Sequence, residues 1–265
     1  MAKVKTIFGA LRADLLPAYG ETVAPEATRI TISDAEGNTY IFFGDFTYDQ
    51  FGPHGTVTSI EYLIDGKVNF RVNELSVPVE PLFAPETTIY DAIQLVLAND
   101  DLVYGRDADD TLAGGAGADR IYGKGGGDVI FGEAGNDVLS GDDGSDVLVG
   151  GQGADRLRGG AGADLFAFQF ATESTVATDG RDRILDFNSA EFDVIDLRAI
   201  DGDFASPLTV VDAFSNTAGE LLIREKGDNQ FVVFGDLDGN GAADFAITVV
   251  TVAGSAPLSG SDFLL

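Results

Sequence analysis

The 265-residue sequence contains no cysteine, which excludes disulfides and thiolate metal sites and leaves any loop-rich region to be held together by other means. Its one histidine, His54, is too few for a three-histidine zinc site. Basic residues are scarce: 16 Lys and Arg stand against 44 Asp and Glu, a net charge of −28, and such a surface repels nucleic-acid phosphates and anionic lipid. Nothing approaches the run of ~20 apolar residues that spans a bilayer. The one apolar stretch within residues 1–16 is interrupted by Arg12 and Asp14, so it does not read as the core of an amino-terminal export signal. Neither HExxH nor GxSxG occurs, and no nucleophile elbow surrounds a serine or threonine that His54 could activate. These absences argue against nucleic-acid binding and membrane insertion, and they leave no catalytic residue to name.

What is present is regular. From Gly105, steps of nine give GRDADDTLA, GGAGADRIY, GKGGGDVIF, GEAGNDVLS, GDDGSDVLV, GGQGADRLR and GGAGADLFA, ending at Ala167. The sixth position is always aspartate: Asp110, Asp119, Asp128, Asp137, Asp146, Asp155 and Asp164. The eighth is always large and apolar: Leu112, Ile121, Ile130, Leu139, Leu148, Leu157 and Phe166. A degenerate unit with Asp101 and Val103 precedes them. General solubility or halophilic adaptation would not space acids at a fixed interval. Glycine permits left-handed backbone and close approach of carbonyls, so six residues of each unit read as a tight loop and three as a short strand whose central residue points inward. Two half-turns per coil would stack into a right-handed parallel β-roll. Aspartates eighteen residues apart then line one edge: Asp110, Asp128, Asp146 and Asp164 on one side, Asp119, Asp137 and Asp155 on the other.

Carboxylates and main-chain carbonyls are hard oxygen donors that suit Ca²⁺ better than Mg²⁺ or Zn²⁺. The backbone candidates are the carbonyls of Gly114, Ala116, Gly123, Gly125, Gly132, Ala134, Gly141, Asp143, Gly150 and Gln152. Without ions the loops would hold mutually repelling carboxylates, so several Ca²⁺ ions are expected to be required for the roll to fold. The unit matches the calcium-binding nonapeptide G-G-x-G-x-D-x-U-x, a known repeat signature, and the block resembles the repeats-in-toxin, or haemolysin-type, calcium-binding family. Residues 105–113 lack most of the loop glycines, and Lys124, Glu133 and Asp142 replace the second glycine, so the first site is doubtful and the others are expected to differ in strength.

Beyond Ala167 the sequence resembles the carboxy-terminal region of serralysin-type secreted proteases. The stretch GRDRILDFNSAEFDVIDLRAID, residues 180–201, resembles the segment that closes the roll in that family, which implies that Asp182 and Asp186 complete the last calcium sites. Residues 219–224, 231–234 and 245–250 read as strands of a closing β domain, and the terminal SDFLL resembles the family's type I export signal while also reading as a last strand. The resemblance implies a secreted, extracellular protein of a Gram-negative bacterium, handled by type I secretion machinery and folding in external calcium. A further oxygen-rich run, Asp236, Asp238, Asn240 and Asp244, is spaced like the start of an EF-hand loop but has Ile247 where the closing glutamate would stand. It reads equally as an extra metal site or as a tight turn.

The fold class is therefore all-β: an amino-terminal antiparallel, sandwich-like β domain (1–80), a linker and covering helix (81–98), the calcium roll (99–167) and a serralysin-like closing domain (168–265). Alternating runs at 29–33, 38–43, 56–64 and 67–75 supply the first domain, with hairpin turns at Glu36-Gly37 and Asp65-Gly66. A stripe of Ile89, Ala92, Ile93, Val96 and Leu97 supplies the helix. The aromatic segment FFGDFTYDQFGPH, residues 42–54, reads as a loop in which Tyr48, Phe51 and His54 form a candidate ligand surface for a cell-surface or matrix polysaccharide. The bland alternative makes its phenylalanines core residues at strand ends. Three roles stay open: a non-enzymatic surface-binding module, a polymer-acting enzyme using Asp45, Asp49 and Glu61 with His54, or a structural matrix protein.

Overall fold

The computed structural model describes residues 98–200 and 208–265 in full and, before them, the backbone of strands at 27–33, 39–49, 52–64, 67–73 and 77–78. The chain divides into two compact units, Met1–Tyr104 and Gly105–Leu265. Among the described residues no helix is long and apolar enough to cross a membrane.

In the first unit, β1 (Ala27–Ser33), β2 (Thr39–Asp49), β3 (Gly52–Ile64), β4 (Lys67–Asn73), β5 (Val77–Pro78) and β6 (Leu102–Tyr104) form an antiparallel sheet. The order is β1-β2-β3-β4-β6, with β5 on β3. Both expected hairpins are present, closed by the pairs Ser33↔Thr39 and Ile64↔Lys67. Of residues 42–54, expected as a loop, 42–49 and 52–54 are instead the distal half of the hairpin β2–β3. Past a bulge at Phe43/Gly44 the pairing continues to Asp49↔Gly52, carried by the Thr, Tyr and Phe residues that favour extended backbone. The helix expected over 87–98 falls almost wholly outside the described residues, as does the linker before it.

The second unit opens on seven strands in nonapeptide register: β7 (Thr111–Ala116), β8 (Arg120–Gly125), β9 (Val129–Ala134), β10 (Val138–Asp143), β11 (Val147–Gln152), β12 (Arg156–Ala161) and β13 (Leu165–Ala167). All pairs are parallel and join strands eighteen residues apart, so even- and odd-numbered strands build two separate sheets. Strands β7 to β12 are six residues long, not the three expected. After Ser140↔Arg158 the register passes over Gly141 and resumes with Asp142↔Gly160 and Asp143↔Ala161, because the backbone of the presumed loop stacks on the next coil almost as regularly as the strand does. Only a three-residue corner, ending on the aspartate, remains outside the ladder.

The eighth-position side chains face inward and are at most 2% exposed. They form two columns by register. Ile121, Leu139, Leu157 and Ile184 lie on one sheet, while Leu112, Ile130, Leu148, Phe166 and Ile195 lie on the other. Full burial of each such side chain stabilises by roughly 1.5–3 kcal/mol, so this thin core is the main force holding the coils together once charge is dealt with.

The columns continue into the closing region through β14 (Arg183–Phe187) and β15 (Val194–Asp196), parallel to β12 and β13. Phe187 packs beside Phe166 with ring centroids 6.3 Å apart. Next come β16 (Thr209–Val211), β17 (Glu220–Gly227), β18 (Gln230–Asp236), β19 (Phe245–Thr251) and β20 (Phe263–Leu264). Strands β17 to β19 make the expected antiparallel meander, and β19 joins the roll beside β14 with Ile184↔Val249. The terminal strand β20 pairs in parallel with β15, Ile195↔Phe263, so SDFLL packs as a last strand.

Candidate functional site

Each repeat aspartate ends a corner with its side chain turned into the roll, where it is buried. At Asp128, Asp137, Asp146, Asp155 and Asp164 the Oδ1 accepts a hydrogen bond from the backbone N–H of the aspartate one coil earlier. Along one edge the bonds run Asp110 N to Asp128, Asp128 N to Asp146 and Asp146 N to Asp164, at 2.8, 2.7 and 3.0 Å. Along the other they run Asp119 N to Asp137 and Asp137 N to Asp155, both 2.8 Å. The carbonyl of each aspartate in turn accepts from the next coil, as in Val147 N to Asp128 O at 2.8 Å. Aspartate therefore serves as a structural splice between coils through one of its two oxygens.

The second oxygen identifies the site. The Oδ2 atoms of Asp128, Asp146, Asp155, Asp164 and Asp182 are buried and have no hydrogen-bond partner. A buried, unsatisfied carboxylate oxygen costs several kcal/mol unless a cation meets it. The first-position glycine of each repeat leaves the room. A Cβ on Gly141 would lie 2.1 Å from Asp146 Oδ2 and 2.6 Å from the carbonyl oxygen of Gly159 in the next coil. On Gly123 it would meet Asp128 Oδ2 at 2.2 Å and Gly141 O at 2.8 Å, and on Gly132 it would meet Gly150 O at 2.4 Å and Asp137 Oδ2 at 2.5 Å. Carboxylate and carbonyl oxygens thus converge beside a gap that any side chain would fill, and the donor set is all hard oxygen, which fits calcium. Among the third-position carbonyls, those of Ala134, Asp143 and Gln152 already accept one bond each, from Gly117, Gly126 and Gly135 N–H, which leaves their second lone pair.

From the second repeat on, the second position takes left-handed backbone even where glycine is replaced: φ is 81° at Lys124, 73° at Glu133 and 71° at Asp142. The fold tolerates the missing glycines at a cost of roughly 1–2 kcal/mol each.

The electrostatics match a cation site. Burial, reinforced by neighbouring carboxylates, pushes Asp128, Asp146, Asp155 and Asp164 up to about 6. Asp182, 0% exposed and close to Asp155, Glu173 and Asp137, is pushed up to about 8.

At the closing end the sequence reading was incomplete. Asp182 takes the place of the next ladder member, accepting from Asp155 N at 2.8 Å, and Asp186 accepts from Gly159 N and Gly160 N at 3.1 and 3.2 Å. On the other edge the successor to Asp164 is Asp193, which accepts from Asp164 N at 3.1 Å and from Asn188 N at 2.7 Å and is raised by burial to about 6. Glu173 is the other addition. It is 4% exposed, is raised by burial, and sits close enough to Asp155 and Asp182 to raise both. The spacing D-x-U, aspartate two before a buried apolar residue, recurs at Asp182/Ile184 and Asp193/Ile195 and could have revealed Asp193. Excursions in the chain hid it by stretching the interval from eighteen to twenty-nine residues.

The carboxylates of Asp236, Asp238 and Asp244 come within 4.8 Å of one another in the turn between β18 and β19, a grouping able to hold a metal ion. Their oxygens also serve the turn itself. Asp236 accepts from Gly239 N and Gly241 N, both at 2.8 Å, and Asp244 accepts from Leu237 N at 2.7 Å. Asn240 is tied to the same turn, its Nδ2 donating to Asp238 Oδ2 at 2.9 Å while its own Oδ1 accepts from Ala242 N at 2.7 Å.

In the first unit, register sets Tyr48 against Pro53 and His54 against Thr47, while Phe51 lies outside the described residues. Asp45 and Asp49 fall in the same half of the hairpin, opposite Thr56 and Gly52, whereas Glu61 lies opposite Ile41. Seven steps of extended backbone separate Glu61 from His54, about 23 Å along β3, which is too far for one cleft to gather all four.

The model of the family described as peptidase M10 serralysin C terminal matches residues 109–265. No curated protein matches the chain. Among solved structures, the R3 subunit of the Azotobacter vinelandii mannuronan C5-epimerase AlgE6 is 26% identical with a TM-score of 0.38, the match covering 63% of this chain and 77% of that one. The R2 subunit of the same epimerase is 27% identical with a TM-score of 0.36, covering 61% and 91%.

Proposed function

The chain belongs, through residues 109–265, to the peptidase M10 serralysin C-terminal family, and on that premise we propose that its roll is a secreted calcium-binding device that becomes rigid only when several Ca²⁺ ions bridge its stacked acidic corners. The observation that carries this reading is the row of buried Oδ2 atoms without partners at Asp128, Asp146, Asp155, Asp164 and Asp182, which at Asp128 and Asp146 face a glycine-lined gap shared with a carbonyl oxygen of the next coil. The proposed ligands are Asp119, Asp128, Asp137, Asp146, Asp155, Asp164 and Asp182, with Asp186, Asp193 and Glu173 at the closing end and first- and third-position carbonyls between coils. Asp101 would serve the degenerate turn before them. In a right-handed roll each ion would join two successive coils on one edge, replacing carboxylate repulsion by attraction. Extracellular calcium modules commonly bind at about 10⁻⁴–10⁻³ M, well above cytosolic calcium, so the same residues would stay unfolded for type I export and set afterwards.

The first unit we read as a non-enzymatic module for a surface or polysaccharide, presented from the distal half of the hairpin β2–β3 around Tyr48 and His54. The separation of Glu61 from His54 favours binding over hydrolysis.

Far-ultraviolet circular dichroism of the full chain in chelator and in millimolar Ca²⁺, with bound ions counted by native mass spectrometry, tests the first reading. Expected are several ions and a large gain of β signal with calcium; an identical spectrum under both conditions would falsify it. A glycan array probed with the calcium-loaded chain tests the second, and silence across it removes the binding role.

A further inference from the structure

The first half-turn of the second unit departs from the others in the one respect that matters for an ion. Its second position is Arg106 and its fourth is Ala108, where the later repeats carry a left-handed residue and a glycine. The Arg106 guanidinium reaches back onto Asp110: Nε and Nη2 donate to Oδ1 at 2.9 and 2.5 Å. The backbone N–H of Arg106 donates to Oδ2 at 2.6 Å. Both oxygens of Asp110 are therefore satisfied from within the half-turn. Farther along the same edge, the Oδ2 atoms of Asp128, Asp146 and Asp164 are buried without a partner. The local packing differs too. A Cβ on Gly105 would lie 3.0 Å from Asp110 Oδ2, against 2.1 or 2.2 Å for the glycines facing Asp128, Asp146 and Asp164, so this carboxylate has swung away from the glycine-lined gap toward the arginine.

We propose that Arg106 is a built-in cation that occupies the charge position a calcium ion takes at the later corners, so that the half-turn 105–113 binds no ion and gives this edge of the roll a metal-independent first turn. The inference rests on the calcium-binding reading above and concerns which corner is exempt from it. The chemistry is complementary. The guanidinium places two donors on Oδ1, sets a positive charge against the carboxylate, and needs no third ligand from a neighbouring coil. Asp110 has its own N–H bonded to Asp128 Oδ1 at 2.8 Å, so the neutralised corner is spliced directly to the first corner that carries an unsatisfied oxygen. Calcium would then add from Asp128 onward against a turn already formed. One end of an otherwise ion-dependent stack would be ready before any ion arrives.

The test is an ion count at saturating Ca²⁺ by native mass spectrometry on the full chain. Asp110→Asn should leave the count unchanged, because its carboxylate serves Arg106, whereas Asp146→Asn should lower it. Arg106→Gly combined with Ala108→Gly restores the repeat pattern and should bind one ion more than the parent. A lower count for Asp110→Asn overturns the proposal, as does an unchanged count for the double variant. If the double variant does not fold, the comparison of Asp110→Asn with Asp146→Asn still decides. A parent chain that binds no ion at all would instead overturn the calcium reading itself, a separate outcome.

Discussion

Asp146 Oδ1 accepts a hydrogen bond from the backbone N–H of Asp128, eighteen residues earlier, at 2.7 Å, while its Oδ2 is buried with no partner. One carboxylate thus has two jobs on two atoms: it joins consecutive coils through one oxygen and offers the other to a cation. The two jobs can be separated by substitution. Asp146→Asn keeps an acceptor for Asp128 N–H but loses the anionic oxygen, so it should raise the calcium midpoint for folding several-fold. Asp146→Ala also leaves that N–H unsatisfied and should cost about 1–3 kcal/mol more. Calcium titrations followed by circular dichroism distinguish the two.

Acid should partly replace calcium. Burial raises Asp128, Asp146, Asp155, Asp164 and Asp193 to about 6 in the folded roll, above the ordinary 3.8, and Asp182 to about 8. The folded form then holds more protons than the unfolded one between these limits, so stability of the chelated chain falls as pH rises through that window. In chelator the chain should gain β structure on acidification from pH 8 toward pH 4. With calcium present, protons compete, and affinity should weaken as pH drops below about 6. Circular dichroism across pH in chelator checks the first; a chelated chain most structured at pH 8 contradicts it.

Glycines of different positions should respond oppositely. Gly153 has φ 140°, and a Cβ there would lie 1.5 Å from the carbonyl oxygen of Gly135, a backbone atom that cannot step aside. Gly153→Ala should cost roughly 3 kcal/mol or more. Lys124→Gly relieves left-handed strain at a position where the loop needs none, and should stabilise by about 0.5–1 kcal/mol. Thermal unfolding in saturating calcium measures both.

Leu148 is 0% exposed and stacks between Ile130 and Phe166 in register. Leu148→Ala should cost about 2–5 kcal/mol by opening a cavity in a core too thin to collapse around it. Its calcium midpoint should rise accordingly, because ion binding and folding are one equilibrium, while the ion count at saturation stays that of the parent.

At the closing end, Glu173→Gln and Asp182→Asn should each remove one acidic donor from a cluster shared with Asp155. Each variant should lose calcium affinity at high occupancy while leaving the early part of the titration unchanged. Isothermal calorimetry that shows both phases unaltered places Glu173 outside any ion site.

The repeats were legible because their physics is local and periodic. An apolar eighth residue, an aspartate two before it and glycine where backbones touch recur at an interval that fixes pairing as well as fold, and the eighteen-residue register follows directly. What was not legible depended on chain excursions. Asp193 and Glu173 stand where loops have stretched the interval, so nothing in the nine-residue phase points to them. Strand length was misjudged for another reason: glycine-rich segments carry weak strand propensity, yet here stacking of one coil on the next makes them extend. In the first unit, the aromatic run at 42–54 lacks the strict alternation that marks a strand, and its pairing across a bulge came only from the neighbouring strand.

Because each corner is spliced to the one eighteen residues on, the roll grows in pairs of units. Duplicating a single nonapeptide before Asp155 would send every later corner to the opposite edge while Asp155 and Asp182 move together and keep their splice, whereas duplicating two would lengthen the stack with every downstream corner on its present edge. Loose excursions obey no such quantum, which is why the splices to Asp182 and Asp193 span 27 and 29 residues. An even number of added units therefore keeps each downstream corner on its edge, and an odd number exchanges the two edges without breaking a splice.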